Sequence, residues 1–163
     1  MAGKNNAVAQ YLWGAREAKA EVRRRRLRVH ELEARCTSIT AKMNGMPGGG
    51  GDRHSLEQAY IALAAERDAE LAAILEEQRK YHEIEDFING LSCSEYRAVL
   101  RHRYLRGLNW VKVQQEMYRD GFYYADSSVF RLHGEALNEM RRVLREGGVA
   151  FEVPTETAPE LLH

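Results

Sequence analysis

The residues whose types could carry chemistry stand together at the start of the last amphipathic segment of the chain. Ser127, Ser128 and Arg131 supply hydroxyl and guanidinium groups there, with Asp126 and Phe130 beside them. An arginine can donate two hydrogen bonds to a guanine edge, and a serine hydroxyl can donate or accept one. This combination suits the end of a helix that enters a DNA groove, although a solvated helix surface can have the same composition.

A helix is predicted over residues 127–145, because apolar side chains recur there at steps of three and four and therefore share one face. Asp126 is predicted to be its N-cap, since an aspartate oxygen accepts hydrogen bonds from the first free backbone amides of a helix. The predicted buried face consists of Val129, Leu132, Ala136, Leu137, Met140 and Val143.

Four of the basic residues before this helix are candidates for phosphate contacts: Arg101, Arg103, Arg106 and Lys112. Such side chains bind phosphate oxygens, which positions a protein on a duplex without selecting a base sequence. We predict that they contact the DNA backbone and that Arg103 is exposed. Ordinary solvated arginines on a helix surface are the alternative.

Catalytic and metal sites have little support in the sequence. The "GGGG" segment follows Pro47 and lacks the Lys-Ser/Thr of a phosphate-binding loop, and no nucleophile elbow is present. The six His and two Cys show no metal-ligand spacing, and Cys36 and Cys93 are expected to be reduced thiols. We therefore predict no enzyme activity, cofactor, metal or small-molecule substrate.

Membrane insertion and secretion are also not expected. The chain contains no run of about 18 apolar residues, and its first residues, "MAGKNNAVAQYLW", lack the features of a signal peptide. A cytoplasmic protein is predicted.

The formal net charge of zero hides two oppositely charged blocks. Residues 1–51 carry 10 basic and 4 acidic residues, whereas residues 52–90 carry 4 and 10. This distribution predicts two segments that face each other. The basic run "RRRRLR", residues 23–28, is interpreted as pairing with the acidic segment, with nucleic-acid binding as the alternative.

The two charged blocks are predicted to be two long helices. The first has apolar residues every seven positions, the pattern of a helix that packs lengthwise on another: Ala15, Val22, Val29, Cys36 and Met43. The segment "NGMPGGGGD", residues 44–52, is expected to break it. The second helix is predicted from Ser55, which forms a capping box with Gln58, to Asn89. Its predicted apolar stripe is Leu56, Leu63, Leu71, Ile74, Tyr81, Ile84 and Ile88.

Three shorter helices are predicted after Gly90. The first runs from Cys93 to about Leu105, with Ser92 and Glu95 as a capping box and Gly107 as its end. The second runs from Trp110 to about Tyr118 and is capped by Asn109. A turn around Asp120-Gly121 separates it from the helix at 127–145. These two helices and the turn between them make a helix-turn-helix plan.

The residues of this section resemble region 4 of the sigma-70 class of bacterial RNA polymerase sigma factors. The likeness lies in "EYRAVLRHRYLRGLNWVKVQQEM", residues 95–117, followed by "SSVFRLHGEALNEMRRV", residues 127–143. It covers about a third of the chain. Positions that match the family pattern are Glu95, Val99, Leu100, Arg103, Tyr104, Gly107, Leu108, Val113, Val129, Arg131, Ala136, Leu137 and Arg141. Where that family has a Ser or Thr cap, this chain has Ala125, so Asp126 is expected to take over the cap.

The resemblance implies a DNA-binding module whose last helix contacts bases through Asp126, Ser127, Ser128, Phe130 and Arg131. A long helical hairpin ahead of such a module is also similar in plan to the ArpU-type regulators of phage late genes. Together these likenesses imply a phage- or prophage-encoded transcriptional regulator in a bacterial host. Double-stranded DNA would be its partner, RNA polymerase is a second candidate partner, and a homodimer is expected.

The sequence therefore predicts an all-α protein in three parts. Residues 1–90 form an antiparallel, coiled-coil-like helical hairpin, residues 91–146 form a three-helix helix-turn-helix domain, and residues 147–163 form a disordered tail. The alternative function is that of a phage DNA-packaging protein, similar to a small terminase subunit, that binds DNA as a ring. A coiled-coil adaptor without DNA binding is a third interpretation.

Overall fold

The computed structural model describes residues 3–45 and 50–150, and these residues form five helices. They are α1 (Gly3–Gly45), α2 (Gly50–Asn89), α3 (Ser94–Leu100), α4 (Trp110–Arg119) and α5 (Asp126–Glu146). A π-helical segment, Arg101–Leu105, continues α3. Helices α1 and α2 form a long antiparallel hairpin, and the smaller helices follow it. The predicted all-α fold class is confirmed.

The chain divides into two compact units. The hairpin unit, Glu17–Lys80, contains the greater part of α1 and α2. The C-terminal unit contains the described residues of Met1–Arg16 and of Tyr81–His163. This unit therefore combines the start of α1 and the end of α2 with the residues after position 90, where the sequence places a domain boundary.

The hairpin unit has a narrow apolar core along the predicted heptad seam. Its buried side chains come from both helices: Val29, Leu32, Cys36, Ala59 and Leu63, with Ile39 packed against them. The buried positions of α1 recur at intervals of seven and of three, as the sequence pattern predicts.

Ion pairs between the two helices flank this core. Arg25 lies 3.1 Å from Glu66, Arg26 lies 3.1 Å from Glu70, and Arg67 lies 3.0 Å from Glu33. The Glu66 carboxylate raises the pKa of the Arg25 guanidinium above its ordinary value. The predicted pairing between the basic run and the acidic helix is therefore confirmed for Arg25 and Arg26, although exposed pairs of this kind stabilise a fold only slightly.

The second helix departs from the prediction in two respects. It begins at Gly50, so Ser55 lies inside the helix and the predicted capping box with Gln58 is wrong. The side chain of Leu71 is 57% exposed, so this residue does not belong to the inward stripe. The centre of the predicted helix break, residues 46–49, lies outside the described residues.

The C-terminal unit has a larger core, in which residues distant in sequence meet. Leu12 from α1 and Ile84 and Ile88 from α2 are fully buried in the same cluster as Val99 and Met140. Burial of a leucine-sized side chain stabilises a fold by about 1.5–3 kcal/mol. The start of α1 is therefore part of the framework that holds the three short helices.

The beginning of α3 also differs from the prediction. Cys93 is the N-cap residue and makes no capping hydrogen bond through its side chain. The Ser92 hydroxyl instead donates to Glu139, at 2.8 Å, and Glu95 accepts a hydrogen bond from the Tyr124 hydroxyl. The predicted capping box is wrong because both side chains have partners elsewhere in the unit.

The end of the π-helical segment fits the predicted stop at Gly107. This glycine has φ +68°, a left-handed conformation that other residues adopt at a cost. Its carbonyl oxygen accepts a hydrogen bond from the Arg16 guanidinium at 2.8 Å. The first third of α1 and the loop before α4 are thereby joined.

The chain beyond α5 is described as far as Ala150. The amide of Val149 donates to the carbonyl of Leu144 at 3.0 Å, and its side chain packs against the core. The remainder of the predicted disordered tail, residues 151–163, lies outside the described residues.

Candidate nucleic-acid interface

Helices α4 and α5 and the turn between them form the predicted helix-turn-helix segment. Asn109 caps α4, because its side-chain oxygen accepts a hydrogen bond from the amide of Lys112 at 2.9 Å. Gly121, with φ +90°, makes the turn after α4. Both features match the sequence prediction.

The front end of α5 presents a polar surface. Asp126, Ser127 and Arg131 are exposed and Ser128 is half-buried. The Arg131 side chain is 75% exposed and its Nε lies 3.9 Å from a carboxylate oxygen of Glu135. A pair of this length between exposed groups is weak, so the guanidinium can turn toward another partner at little cost.

The cap of α5 is not the predicted one. The helix already includes Asp126, and Ala125 occupies the N-cap position without any side-chain hydrogen bond. The carbonyl of Ala125 accepts from the amides of Ser128 and Val129, which starts the helix. The Asp126 carboxylate therefore lies in the first turn, where a negative charge interacts favourably with the helix dipole.

An apolar cleft adjoins this front end between α4 and α5. Its volume is about 140 Å³, and it is lined by Trp110, Val111, Gln114, Asp126, Val129 and Phe130. The Phe130 ring is 52% exposed, yet its centroid lies only 4.9 Å from that of Trp110. Phe130 is thus held in place by Trp110 while one side of its ring faces solvent.

Arg103 is placed differently from the prediction. Its guanidinium lies over two indole rings, 5.0 Å from the Trp13 centroid and 4.7 Å from the Trp110 centroid. It also donates a hydrogen bond to the carbonyl of Leu108 at 2.9 Å. The expectation that Arg103 is exposed is wrong, because cation–π contacts with two tryptophans bury half of it.

Of the other three residues predicted to contact phosphate, two have partners within the protein and one is exposed. Arg101 donates to Asn89 at 2.7 Å, and Arg106 contacts both His102 and Glu116. The Arg106 hydrogen bond lowers the pKa of the Glu116 carboxyl, which stays ionised and offsets the arginine charge. Lys112, in contrast, is exposed at the first turn of α4.

His133, on α5, packs against the side chains of Tyr104 and Trp110, a role that the sequence did not predict. Its ring stacks on Tyr104 with 5.7 Å between centroids and meets Trp110 edge-on at 4.7 Å. Its Nε2 lies 2.8 Å from the Tyr104 hydroxyl. Burial lowers the pKa of His133 to about 4 and raises the pKa of Tyr104 to about 12. Both groups are therefore neutral near pH 7.

The turn before α5 is fixed by Tyr124. Its hydroxyl donates to Glu95, and this hydrogen bond raises the pKa of Tyr124 to about 12. Its carbonyl accepts from the side chain of Gln114 at 3.2 Å. The neighbouring Tyr123 is 70% exposed and packs edge-on against the Tyr118 ring, with centroids 4.7 Å apart.

Two further kinds of site are absent from residues 3–45 and 50–150. No helix there is long and apolar enough to cross a membrane, and no group of three or more His, Cys, Asp or Glu side chains could hold a metal ion. Comparisons with protein-family models, curated proteins and solved structures find no match to this chain.

Proposed function

We propose that the protein binds double-stranded DNA in a sequence-specific manner and regulates transcription, as a phage- or prophage-encoded protein in the cytoplasm of a bacterial host. The observation that carries this proposal is the exposed front end of α5. Arg131, Ser127 and Asp126 face solvent there, while the opposite face of the same helix is buried in the core. A second helix of a helix-turn-helix inserts such an end into the major groove.

The groups at this end can distinguish base pairs. Arg131 can donate two hydrogen bonds to guanine, Asp126 can accept from the amino group of cytosine, and Ser127 can do either. The exposed part of the Phe130 ring can contact the methyl group of thymine. A mixed set of contacts of this kind gives sequence preference with a single arginine.

Backbone binding is assigned to fewer side chains than the sequence alone indicates. Lys112 is exposed at the start of α4, where free backbone amides also attract anions. We leave Arg103 out of the proposed interface because its guanidinium contacts two tryptophans. Residues 91–146 carry 10 basic and 7 acidic residues, so one copy is expected to bind DNA weakly.

Two copies, or one copy with RNA polymerase, would supply the missing affinity. RNA polymerase is proposed as a second partner only from the likeness to sigma region 4. No catalytic step and no cofactor forms part of the proposal.

Selection from a random pool of DNA duplexes tests the proposed function. The full-length protein should enrich one sequence motif, and its affinity for that motif should fall as the salt concentration rises. Retention of all sequences alike, or of none, would contradict the proposal. Light scattering of the free protein tests the packaging alternative, because a ring of many copies has a mass several times that of a dimer.

A further inference from the structure

Helix α2 has a second apolar stripe on its outer side, within the hairpin unit. Three large aliphatic side chains on it are mostly exposed: Ile61 at 63%, Leu71 at 57% and Leu75 at 59%. Ala64, Ala65 and Ala72, also exposed, lie between them. At 100° per residue these positions point away from the face that carries the buried Ala59 and Leu63.

The spacing along this outer stripe is that of a helix-packing seam. Residues 61, 64, 68, 71 and 75 alternate steps of three and four, as in the core positions of a coiled coil. Asp68 occupies the central position of the stripe and is exposed. A lone leucine on a surface is ordinary, but three large aliphatics at seam spacing over about 21 Å of helix mark an interaction surface.

The order of residues along the stripe identifies the partner. When the sequence is reversed about Asp68, Ile61 is opposite Leu75 and Ala64 is opposite Ala72. The same reversal places Ala65 opposite Leu71, so that a small side chain meets a large one. The stripe is therefore complementary to itself in the antiparallel direction, the property that a two-fold symmetric interface requires.

The charges at the two ends follow the same symmetry. Glu57 lies four residues before Ile61, and Arg79 lies four residues after Leu75. The Arg79 guanidinium pairs with Glu76 of its own helix at 2.7 Å, and in the antiparallel arrangement the Glu57 of the other copy faces this pair. In a parallel arrangement Glu57 would face Glu57 and Arg79 would face Arg79, which is unfavourable.

We propose that the outer stripe of α2 binds the same stripe of a second copy of this chain, antiparallel and about a two-fold axis at Asp68. Two hairpins then form a four-helix assembly through their α2 helices. The interface is reversible because the two Asp68 carboxylates face each other across the axis, and like charges at that distance repel. This inference rests on the hairpin unit alone and does not depend on the proposed DNA binding.

Sedimentation equilibrium of the full-length protein at micromolar concentrations tests this inference. The protein should have twice the 18.7 kDa mass of one chain. Ile61→Glu should raise the dissociation constant of the dimer at least tenfold. Leu27→Glu is the matched control, because Leu27 is 61% exposed on α1 and lies off the stripe; it should leave the dissociation constant unchanged.

Four further variants separate loss of the interface from loss of fold. Asp68→Asn should lower the dissociation constant, since it removes the repulsion at the axis, and a variant that merely perturbs folding would not do so. Glu57→Arg and Arg79→Glu should each weaken the dimer, and the double variant should restore it, which only antiparallel pairing allows.

Three results would overturn the inference. The first is that the protein remains monomeric up to about 100 µM, which would mean that the stripe does not bind a second copy. The second is a dimer that resists Ile61→Glu. The third is a charge reversal that the double variant does not restore.

Discussion

Protonation of His133 should weaken the fold of the C-terminal unit as the pH falls. The folded pKa of this residue is about 4, against 6.5 for an unperturbed histidine, because the ring is buried against Tyr104 and Trp110. At pH values between 4 and 6.5, His133 is protonated in the unfolded chain and neutral in the folded chain. The free energy of unfolding must therefore decrease as the pH falls from 6.5 toward 4.

The size of this effect follows from the difference between the two pKa values. One pKa unit corresponds to 1.36 kcal/mol, so the full contribution is about 3 kcal/mol, of which about 2 kcal/mol is already lost at pH 5. Above pH 7 the contribution is fully present, because His133 is then neutral in both states.

Chemical denaturation at a series of pH values from 8 to 4 measures this contribution. His133→Asn should be less stable than the wild type at pH 8, and the difference between the two proteins should shrink as the pH falls. His82→Asn, at a histidine whose side chain is 73% exposed on α2, controls for the removal of an imidazole. A constant difference between the wild type and His133→Asn from pH 8 to pH 4 would refute the assigned burial and its effect on the pKa.

Four predictions concern the framework that positions α5, each measured by thermal or chemical denaturation. Leu12→Ala should lower the free energy of unfolding by about 2–5 kcal/mol, because Leu12 is fully buried in the core of the C-terminal unit. Leu27→Ala, at a residue that is 61% exposed, should leave it nearly unchanged. Equal effects of the two substitutions would contradict the placement of α1. Gly107→Ala should cost at least about 1 kcal/mol, because φ is +68° and the added Cβ would collide with the Arg16 guanidinium. Gly134→Ala should instead stabilise α5 by about 0.5–1 kcal/mol, because its Cβ would meet no atom within 4 Å. A loss of stability in this variant would mean that the space beside Gly134 is occupied. Arg103→Ala should lower the melting temperature, because the Arg103 guanidinium contacts two tryptophans. An unchanged melting temperature would indicate that Arg103 is an exposed surface residue.

Local patterns predicted the parts of the fold that depend on neighbours in sequence. The heptad seam of α1, the Asn109 cap of α4 and the apolar face of α5 each depend on residues within a few turns of one another. The structure contains all three, except that Leu144 and not Val143 is the last buried residue of α5. His133 was not assigned to the buried face from the sequence, although its spacing of four residues from both Val129 and Leu137 could have indicated it.

Contacts between distant residues account for two of the predictions that were wrong. Ser92 could have capped α3, but Glu139, which is 47 residues away, accepts its hydroxyl hydrogen bond instead. Arg103 matches an exposed basic residue in every local respect, and its burial depends on Trp13, from the first turns of α1. Such partners become visible only when the fold brings the helices together.

The central claim is that the front end of α5 contacts DNA bases, and one comparison of variants tests it most directly. The wild type, Arg131→Ala and Arg142→Ala would be measured for binding to a selected duplex and to its single-base variants at several salt concentrations. Arg131→Ala should cost about 1–3 kcal/mol and relax the base preference at one position. Arg142 is the matched control, because its side chain is 63% exposed near the other end of the same helix and pairs with Glu139 and Glu146. Its replacement should leave the base preference intact. Unchanged affinity and unchanged base preference in Arg131→Ala, with the fold intact, would contradict the claim and make the end of α5 an ordinary helix surface.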